Sequence, residues 1–330
     1  MIRLPLEAEI YRSQETSHLG KELQRILNLD NSDESEDYEN SVSLLSTSEL
    51  EETADDESMS PSVSESDFSF SPLAAKTIFW YRKSKKLLEK EMSDIASYAE
   101  DGEVDATKLP NSCQDFLNMY LDNQQFWQEV CLVVDADEEA GGSAKTLVLN
   151  RPMAFSLTEN LAKLIVHGAF GQLKQSSNSQ LIVKMLSAFK DTSCGIYVGG
   201  PDNMDEPATI IHGIPGLEGA REISSGCGIY EGGLEAAIDG ILAGDYSPLD
   251  FRFFVGMHSY EDGSLDVAVH LGKYQPVACA RSVALKQCIQ LPKPLYHEVM
   301  ELCGGELSEI SKLEMMKRDD LAFEELEEED

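Results

Sequence analysis

The pattern of apolar and polar residues becomes globular from about Phe126 onward, where strand-like and helix-like runs follow one another. Short apolar runs between polar or glycine-rich stretches are typical of buried strands, and apolar residues recurring every three or four positions are typical of packed helices. Strands are predicted at 130–134, 146–149, 196–198, 228–230, 250–255 and 265–269, and helices at about 156–170, 181–189, 234–242 and 296–302. Because helices and strands mix without regular βαβ alternation, the pattern favours an α+β fold.

Two helix ends are specified by short motifs. The stretch from Ser156 to Glu159 has the spacing of a capping box, in which each side chain satisfies a backbone amide at the start of a helix. Gly304 and Gly305 follow the last predicted helix, where a glycine in the left-handed region commonly ends a helix.

Upstream of the globular region the chain changes composition twice. Residues 31–71 are rich in serine, aspartate and glutamate, and residues 319–330 are strongly acidic. Disorder is predicted for 30–70 and for 319–330, because such segments cannot bury enough apolar surface to offset their ordering entropy. Residues 73–100 have apolar positions at helical spacing together with a cluster of basic residues, which predicts an amphipathic helix. We therefore divide the chain into an acidic tail (1–72), a helical lead-in (73–124), a globular domain (125–313) and an acidic C-terminal tail (314–330).

The charge of the chain is strongly negative, with 60 acidic against 26 basic residues and a net charge of −34. Affinity for nucleic acids comes largely from lysine and arginine side chains on phosphates, and anionic membranes also attract basic segments. The composition therefore argues against direct binding to nucleic acid or to an anionic membrane. We expect protein partners instead. The basic cluster of the helix could bind an acidic partner, although packing on the domain with its lysines facing the chain's own acidic tails is the favoured interpretation.

The seven cysteines occur singly, without a CxxC pair, as in proteins whose thiols are buried in a reducing compartment. The sequence contains no stretch long enough for a membrane span, and its first residues resemble neither a signal peptide nor a transit peptide. We therefore expect a cytoplasmic location, with a plastid as the alternative if the N-terminus of the gene model is incomplete.

Four short blocks stand out in the globular region, together with a histidine eleven residues after the second block. The blocks are Leu149-Asn150-Arg151-Pro152, Val198-Gly199-Gly200-Pro201, Gly228-Ile229-Tyr230-Glu231-Gly232-Gly233 and Phe251-Arg252-Phe253-Phe254-Val255-Gly256, and the histidine is His212.

In this order and spacing the blocks resemble the YqgE/AlgH family, and the stretch 299–309 looks most like its plant and algal branch. The resemblance covers about residues 126–312. It implies a bulged mixed β-sheet curled into a partly open barrel, with helices packed outside. It implies no reaction and no cofactor, although some bacterial members are described as transcriptional regulators.

The chain departs from the family pattern after Gly256. The family usually has an aromatic residue, two small residues and a tryptophan there, followed by a glutamine, a glutamate and a second tryptophan. Here the first run is Met257-His258-Ser259-Tyr260, Tyr274 stands at the second tryptophan position, and the glutamine and glutamate are missing. No family-type first strand is recognisable upstream of Phe126. If the missing residues served a site, that site is altered in this chain.

The motif residues suggest several candidate binding groups. Gly199 and Gly200 end a strand and could cradle a phosphate with their amides, but the acidic residues that follow favour a structural turn. Arg151 also ends a strand and could hold a carboxylate in two hydrogen bonds, although internal pairing is favoured in a chain this acidic.

Two histidines and one cysteine complete the candidates. His212 and His258 each follow an apolar run, where a single histidine is more often structural than catalytic. They could share a metal ion, but no third ligand stands at a fixed spacing, so no metal site is predicted. Cys227 lies between two glycines that could leave its thiol accessible, which makes it a candidate for redox sensing.

Arg252 lies in the most apolar predicted strand, 250–255, which has apolar groups on both faces and is therefore expected at the centre of a sheet. An arginine buried there needs a compensating partner. Glu231 and Asp250 are the first candidates, one from the preceding block and one adjacent in sequence.

Two functions from different classes are compatible with these patterns. The first is a non-catalytic binding or regulatory module, since no nucleophile, nucleotide-binding or metal motif is present. The alternative is a small-molecule enzyme or hydrolase with a pocket built from Arg151, His212 and His258. Convergence of Arg151, His212 and Arg252 within about 6 Å in one pocket would favour the enzyme.

Overall fold

The structure is a computed structural model, and it describes residues 1–12, 72–100, 102–137, 142–169, 179–190, 193–288 and 291–317. The segments expected to be disordered, 30–70 and 319–330, lie outside these residues. Among the described residues, no helix is long and apolar enough to cross a membrane.

The described residues form a mixed α+β structure of eleven strands and ten α-helices. The strands are β1 (Ile2–Arg3), β2 (Cys131–Ala136), β3 (Ala144–Val148), β4 (Pro152–Ala154), β5 (Gly195–Val198), β6 (Thr209–His212), β7 (Ala220–Glu222), β8 (Tyr230–Gly232), β9 (Phe251–Val255), β10 (His258–Tyr260) and β11 (Tyr274–Gln275). The helices are α1 (Leu6–Arg12), α2 (Pro72–Ala96), α3 (Asn111–Gln125), α4 (Glu159–His167), α5 (Ser179–Ala188), α6 (Leu234–Ala243), α7 (Ser264–His270), α8 (Arg281–Ala284), α9 (Leu295–Cys303) and α10 (Gly305–Met315).

The chain divides into two compact units, one of sheets and one of helices. The sheet unit comprises Met1–Arg3, Gln128–His270 and Tyr274–Val299, and the helical unit comprises Leu4–Trp127, Leu271–Lys273 and Met300–Asp330. This division differs from the one expected from sequence, since the first three residues belong to the sheet unit and the residues after 299 belong to the helical unit.

The main sheet of the sheet unit has six strands in the order β4-β5-β9-β6-β8-β7. The pair β5–β9 is parallel, and the other pairs are antiparallel. All five residues of β9 are buried, which confirms the prediction of a buried strand inside the sheet. Phe251, Phe253 and Val255 face a core that includes buried residues of α4, α5 and α6, while the period of two places Arg252 and Phe254 on the opposite face.

A three-stranded sheet, β10-β3-β2, and a two-stranded sheet, β1-β11, complete the sheet unit. β1 joins them, because Ile2 bridges to Val130 and the amide of Arg3 donates to the Glu129 carbonyl at 2.8 Å. The tail assigned to residues 1–72 therefore begins with ordered structure, and β1 supplies a strand upstream of Phe126. Among the described residues none of the sheets closes into a barrel, so the partly open barrel is not confirmed.

The helical unit is built on apolar residues of α1, α2 and α3, including Ile10, Leu87 and Phe116. The predicted amphipathic helix is present as α2, with Lys76, Lys85 and Lys86 exposed. Within this unit the Tyr81 hydroxyl donates to the Glu314 carboxylate at 2.5 Å, and the Lys317 ammonium lies 2.6 Å from the Glu7 carboxylate.

Two local predictions are wrong. Residues 265–269 form helix α7 and not a strand, because Asp262 and Gly263 adopt positive φ angles of 47° and 73° that turn the chain into a helix beginning at Ser264. Thr158, and not Ser156, caps α4: its hydroxyl accepts a hydrogen bond from the Leu161 amide.

Candidate functional site

Gly199 and Gly200 serve the close packing of two backbone segments. The Gly199 amide donates to the Val255 carbonyl, and its own carbonyl accepts from the Val148 amide, both at 2.8 Å. A Cβ atom on Gly200 would lie 2.2 Å from the Met257 carbonyl carbon, and Gly200 has a φ of 156°. The pair therefore acts as the structural turn that was the favoured interpretation.

Arg252 is 1% exposed and hydrogen-bonds to the backbone carbonyls of Ala284 and Lys286, the second at 3.0 Å. Its guanidinium also lies over the Phe254 ring at 5.3 Å. Burial lowers the pKa of Arg252 to about 10. The prediction that Glu231 or Asp250 pairs with Arg252 is therefore wrong, because each of these acids binds another group.

Those two acids serve other parts of the sheet unit. Glu231 pairs with Arg221 at 2.6 Å, and Asp250 caps a short 3-10 helix through the Ser247 amide at 2.8 Å. Arg252 thus depends on carbonyl oxygens for its hydrogen bonds. These bonds connect β9 to Ala284, at the end of α8, and to Lys286, just after it.

His212 is fully buried at the end of β6. Its ring stacks on Tyr230 at 5.8 Å, and its Nδ1 accepts a hydrogen bond from the Ile214 amide at 3.2 Å. Burial lowers the pKa of His212, and the Gly232 backbone partly opposes that shift. His212 faces Phe251 in the sheet register, so it lies on the opposite face from Arg252.

His258 lies in β10, in a different sheet from His212. Arg151 lies in the turn before β4, where its carbonyl accepts from the Val198 amide at 2.9 Å. The structure therefore places the two histidines apart. An apolar cavity, described in the next paragraph, is not lined by His212, His258 or Arg151.

An apolar cavity of about 500 Å³ lies within the sheet unit. None of its lining residues has a charged side chain, and its polar side chains are the thiols of Cys131, Cys227 and Cys279 and the hydroxyl of Ser224. The remaining lining residues are Met1, Val130, Leu132, Val133, Leu149, Ile223, Ile229, Pro276, Val277, Ala278, Val283, Ala284, Leu295 and Val299. A cavity of this size and character is typical of a site for a small apolar ligand.

Cys227 is the one sequence-predicted site residue that lines the cavity. It sits in a turn in which the Glu222 carboxylate accepts hydrogen bonds from the amides of Gly226 and Gly228, at 3.2 and 2.7 Å. Both glycines have positive φ angles, so the turn needs residues without a Cβ atom there. This conformation presents a half-buried thiol to the cavity.

A second feature, which we call the polar face, lies on one side of the three-stranded sheet. Glu129 lies two residues before Cys131, the first residue of β2, so alternation along an extended chain puts residues 129, 131 and 133 on the same side. The register pairs Val133 with Thr146 of β3, and Thr146 with His258 of β10. Arg3 pairs with Tyr274 in the neighbouring sheet and lies 5.2 Å from its ring. The polar face consists of Arg3, Glu129, Cys131, Thr146, His258, Tyr260 and Tyr274.

Three members of the polar face could ligate a metal ion. Single ligand atoms of Glu129, Cys131 and His258 all lie within 4.8 Å of one another, and all three residues are buried. Sequence reasoning examined His258 but missed Glu129 and Cys131. Glu129 and Cys131 are two residues apart at the start of a predicted buried strand, and this spacing indicates that their side chains share one face. The pairing that brings His258 of β10 to that face could not be predicted from the sequence.

These features define an α+β protein with a mixed six-stranded sheet, an apolar cavity and a buried polar face. The chain belongs to the AlgH-like family (DUF179), whose model matches residues 117–308. Family membership confirms the resemblance drawn from the four blocks, and it assigns no specific reaction.

Two solved structures are similar to this chain at low sequence identity. The solution structure of AlgH from Pseudomonas aeruginosa is 18% identical, with a TM-score of 0.37 over 55% of this chain and 80% of that one. A crystal structure of a protein from Corynebacterium diphtheriae is 14% identical, with a TM-score of 0.37 over 56% of this chain and 82% of that one. None of the curated proteins compared with the chain matches it.

Proposed function

We propose that this protein is a non-catalytic binding module whose AlgH-like domain takes an uncharged, largely apolar small molecule into the cavity of about 500 Å³. The observation that carries the proposal is the lining, which is apolar apart from three thiols and one hydroxyl. A charged ligand would lose its hydration there, and no lining side chain would supply an opposite charge, which makes its burial costly. A neutral ligand would gain from burial of apolar surface.

The chemistry of the lining supports binding over catalysis. No histidine, carboxylate or basic side chain lines the cavity, so no general acid or base stands beside a ligand there. Burial raises the pKa of the Cys131 thiol to about 12, which keeps this thiol protonated and poorly nucleophilic at neutral pH. In a regulatory role, a partner protein would respond to whether the cavity is occupied by its ligand.

A pair of related dyes tests this proposal on the full chain. N-phenyl-1-naphthylamine is neutral, whereas 8-anilino-1-naphthalenesulfonate has the same ring system with a negative charge. We expect saturable binding of the neutral dye to one site, seen as increased fluorescence, and binding of the sulfonate at least about tenfold weaker because its charge would be desolvated.

Substitutions then assign the dye to the cavity. Ala278→Trp and Val283→Trp add bulk at two lining positions and should each reduce neutral-dye affinity about tenfold or more, which corresponds to about 1.4 kcal/mol. Ala243→Trp adds the same side chain at an exposed position that does not line the cavity and should change nothing. Unchanged affinity in both lining variants, or no saturable binding in the native chain, would overturn the proposal.

A further inference from the structure

The polar face is an unusual arrangement for the interior of a protein. Glu129, Cys131 and His258 are only 4%, 2% and 5% exposed. Buried ionisable groups are costly unless they are paired or coordinate a metal ion. The carboxylate oxygen Oε2 of Glu129 lies 3.2 Å from Nε2 of His258, and the ligand atom of Cys131 completes a triangle whose sides are all within 4.8 Å.

This triangle is close to the geometry of a tetrahedral metal centre. A zinc ion binds sulfur at about 2.3 Å and nitrogen or carboxylate oxygen at about 2.0–2.2 Å, so its ligand atoms stand roughly 3.3–3.8 Å apart. The 3.2 Å separation of the oxygen and nitrogen atoms already suits this geometry. The sulfur lies within 4.8 Å of the other two ligand atoms, so it needs to approach them by at most roughly 1.5 Å.

We propose that Glu129, Cys131 and His258 form a zinc-binding site on the polar face of the sheet unit. The donor set decides the class of metal: one sulfur, one imidazole nitrogen and one carboxylate oxygen suit Zn²⁺. Mg²⁺ and Ca²⁺ prefer oxygen ligands throughout, and the thiol and imidazole argue against them.

The residues around the triangle resemble the second shell that orients metal ligands in proteins. The Tyr274 hydroxyl donates to Oε2 of Glu129 at 3.4 Å, and the buried Thr146 pairs with His258 in the strand register. Such partners fix the direction of ligand lone pairs, and their loss typically lowers metal affinity by about 10–100-fold. The guanidinium of Arg3 lies 5.2 Å from the centre of the Tyr274 ring.

Binding at this site exchanges a proton for the metal ion. The Cys131 thiol gives its proton to solvent as the Zn–S bond forms, because thiolate and not thiol is the ligand. A divalent ion supplies the opposite charge that a buried thiolate otherwise lacks.

Several of these residues fall where the chain departs from its family pattern. His258 stands at a position where the family has a small residue, and Tyr260 and Tyr274 stand at tryptophan positions. Cys131 belongs to both the triangle and the cavity lining, but the test of the site reads a metal and not a dye, so the two proposals can fail separately.

Titration with Co²⁺ tests the site, using the full chain after removal of metals with a chelator. Cobalt bound to a thiolate gives a charge-transfer absorption in the near ultraviolet, and the intensity of its visible bands reports tetrahedral geometry. We expect one equivalent of Co²⁺ per chain, both spectral features, and displacement of Co²⁺ by one equivalent of Zn²⁺.

The variants assign the signal to these residues. Cys131→Ser should abolish the charge-transfer band, His258→Gln and Glu129→Gln should each weaken Zn²⁺ binding more than about 100-fold, and Tyr274→Phe about 10–100-fold. Cys279→Ser is the matched control, because it removes an exposed thiol outside the triangle. If Cys131→Ser does not fold, the His258 and Glu129 variants, which keep the thiol, decide alone.

Three results would overturn the proposal. The first is the absence of a charge-transfer band in the native chain. The second is a band that survives in Cys131→Ser but disappears in Cys279→Ser, which would assign the metal to surface thiols. The third is native Zn²⁺ affinity in folded His258→Gln and Glu129→Gln, which would leave the triangle as a hydrogen-bonded structural contact.

Discussion

The six-stranded sheet and the polar face hold their buried polar groups in different ways. In the six-stranded sheet, Arg252 and His212 stand on opposite faces, and each is bound locally by backbone atoms. On the polar face, a carboxylate, a thiol and an imidazole come within 4.8 Å of one another. The polar motif residues Arg252 and His212 thus support the sheet, whereas the groups that could bind a metal ion lie on the polar face.

The largest effect is expected at the glycine turn of the scaffold. Gly200→Val should destabilise the protein by at least about 3 kcal/mol, the upper range for backbone strain alone, because its Cβ would also meet the Met257 backbone at 2.2 Å. Gly216→Val is the control, since it adds the same side chain at a glycine that also has a positive φ, of 73°, but has no atom within 4 Å of the added Cβ. Its expected cost is about 1–2 kcal/mol. Equal losses by denaturant unfolding would show that close approach is unimportant at Gly200.

A smaller loss is expected at the arginine of β9. Arg252→Ala removes two hydrogen bonds from a charged donor to backbone carbonyls and leaves a cavity, at a combined cost of about 3 kcal/mol. Arg221→Ala breaks an ion pair in which Arg221 is 58% exposed and should cost at most about 1 kcal/mol. Zinc and dye binding should survive in folded Arg252→Ala. Loss of either at an unchanged melting temperature would make Arg252 a functional residue.

The smallest effect concerns the pH dependence of stability. Burial holds the pKa of His212 below its ordinary value of 6.5. Below about pH 6.5 the unfolded chain therefore takes up a proton that the folded chain does not, and stability falls as the pH falls. His212→Asn keeps an acceptor for the Ile214 amide and removes the titration. Unfolding measured between about pH 7 and 5 should show a shallower decline in this variant, and an identical slope would indicate that His212 does not contribute.

The central features of the six-stranded sheet could be predicted from the sequence because they depend on local patterns. The apolar run 251–255 specified a buried strand, and its period of two placed Phe251 and Phe253 on the core side. A strand was wrongly predicted at 265–269, because a short run with apolar residues at adjacent and alternate positions fits both a strand and one helical turn. The preceding positive φ angles decided in favour of the helix.

The polar face could not be predicted because its members come from five separate stretches of the chain. Arg3 enters through a two-residue strand, which is too short to show a period, and Glu129 and Cys131 precede and begin β2. Their meeting with His258 depends on the pairing of β3 with both of its neighbours. Strand register between distant segments is set by tertiary packing, so spacing along the chain does not reveal it.

Residue-resolved chemical shifts of the full chain, followed during titration with Zn²⁺ and then with the neutral dye, test most directly whether binding occurs at the polar face and the cavity and not at the polar residues of the motifs. We predict that Zn²⁺ shifts the amide signals around Glu129, Cys131 and His258, and that the dye shifts those of 223–229 and 276–284. Changes confined to Gly199, Gly200, His212 and Arg252, with the polar face and the cavity unaffected, would contradict this account.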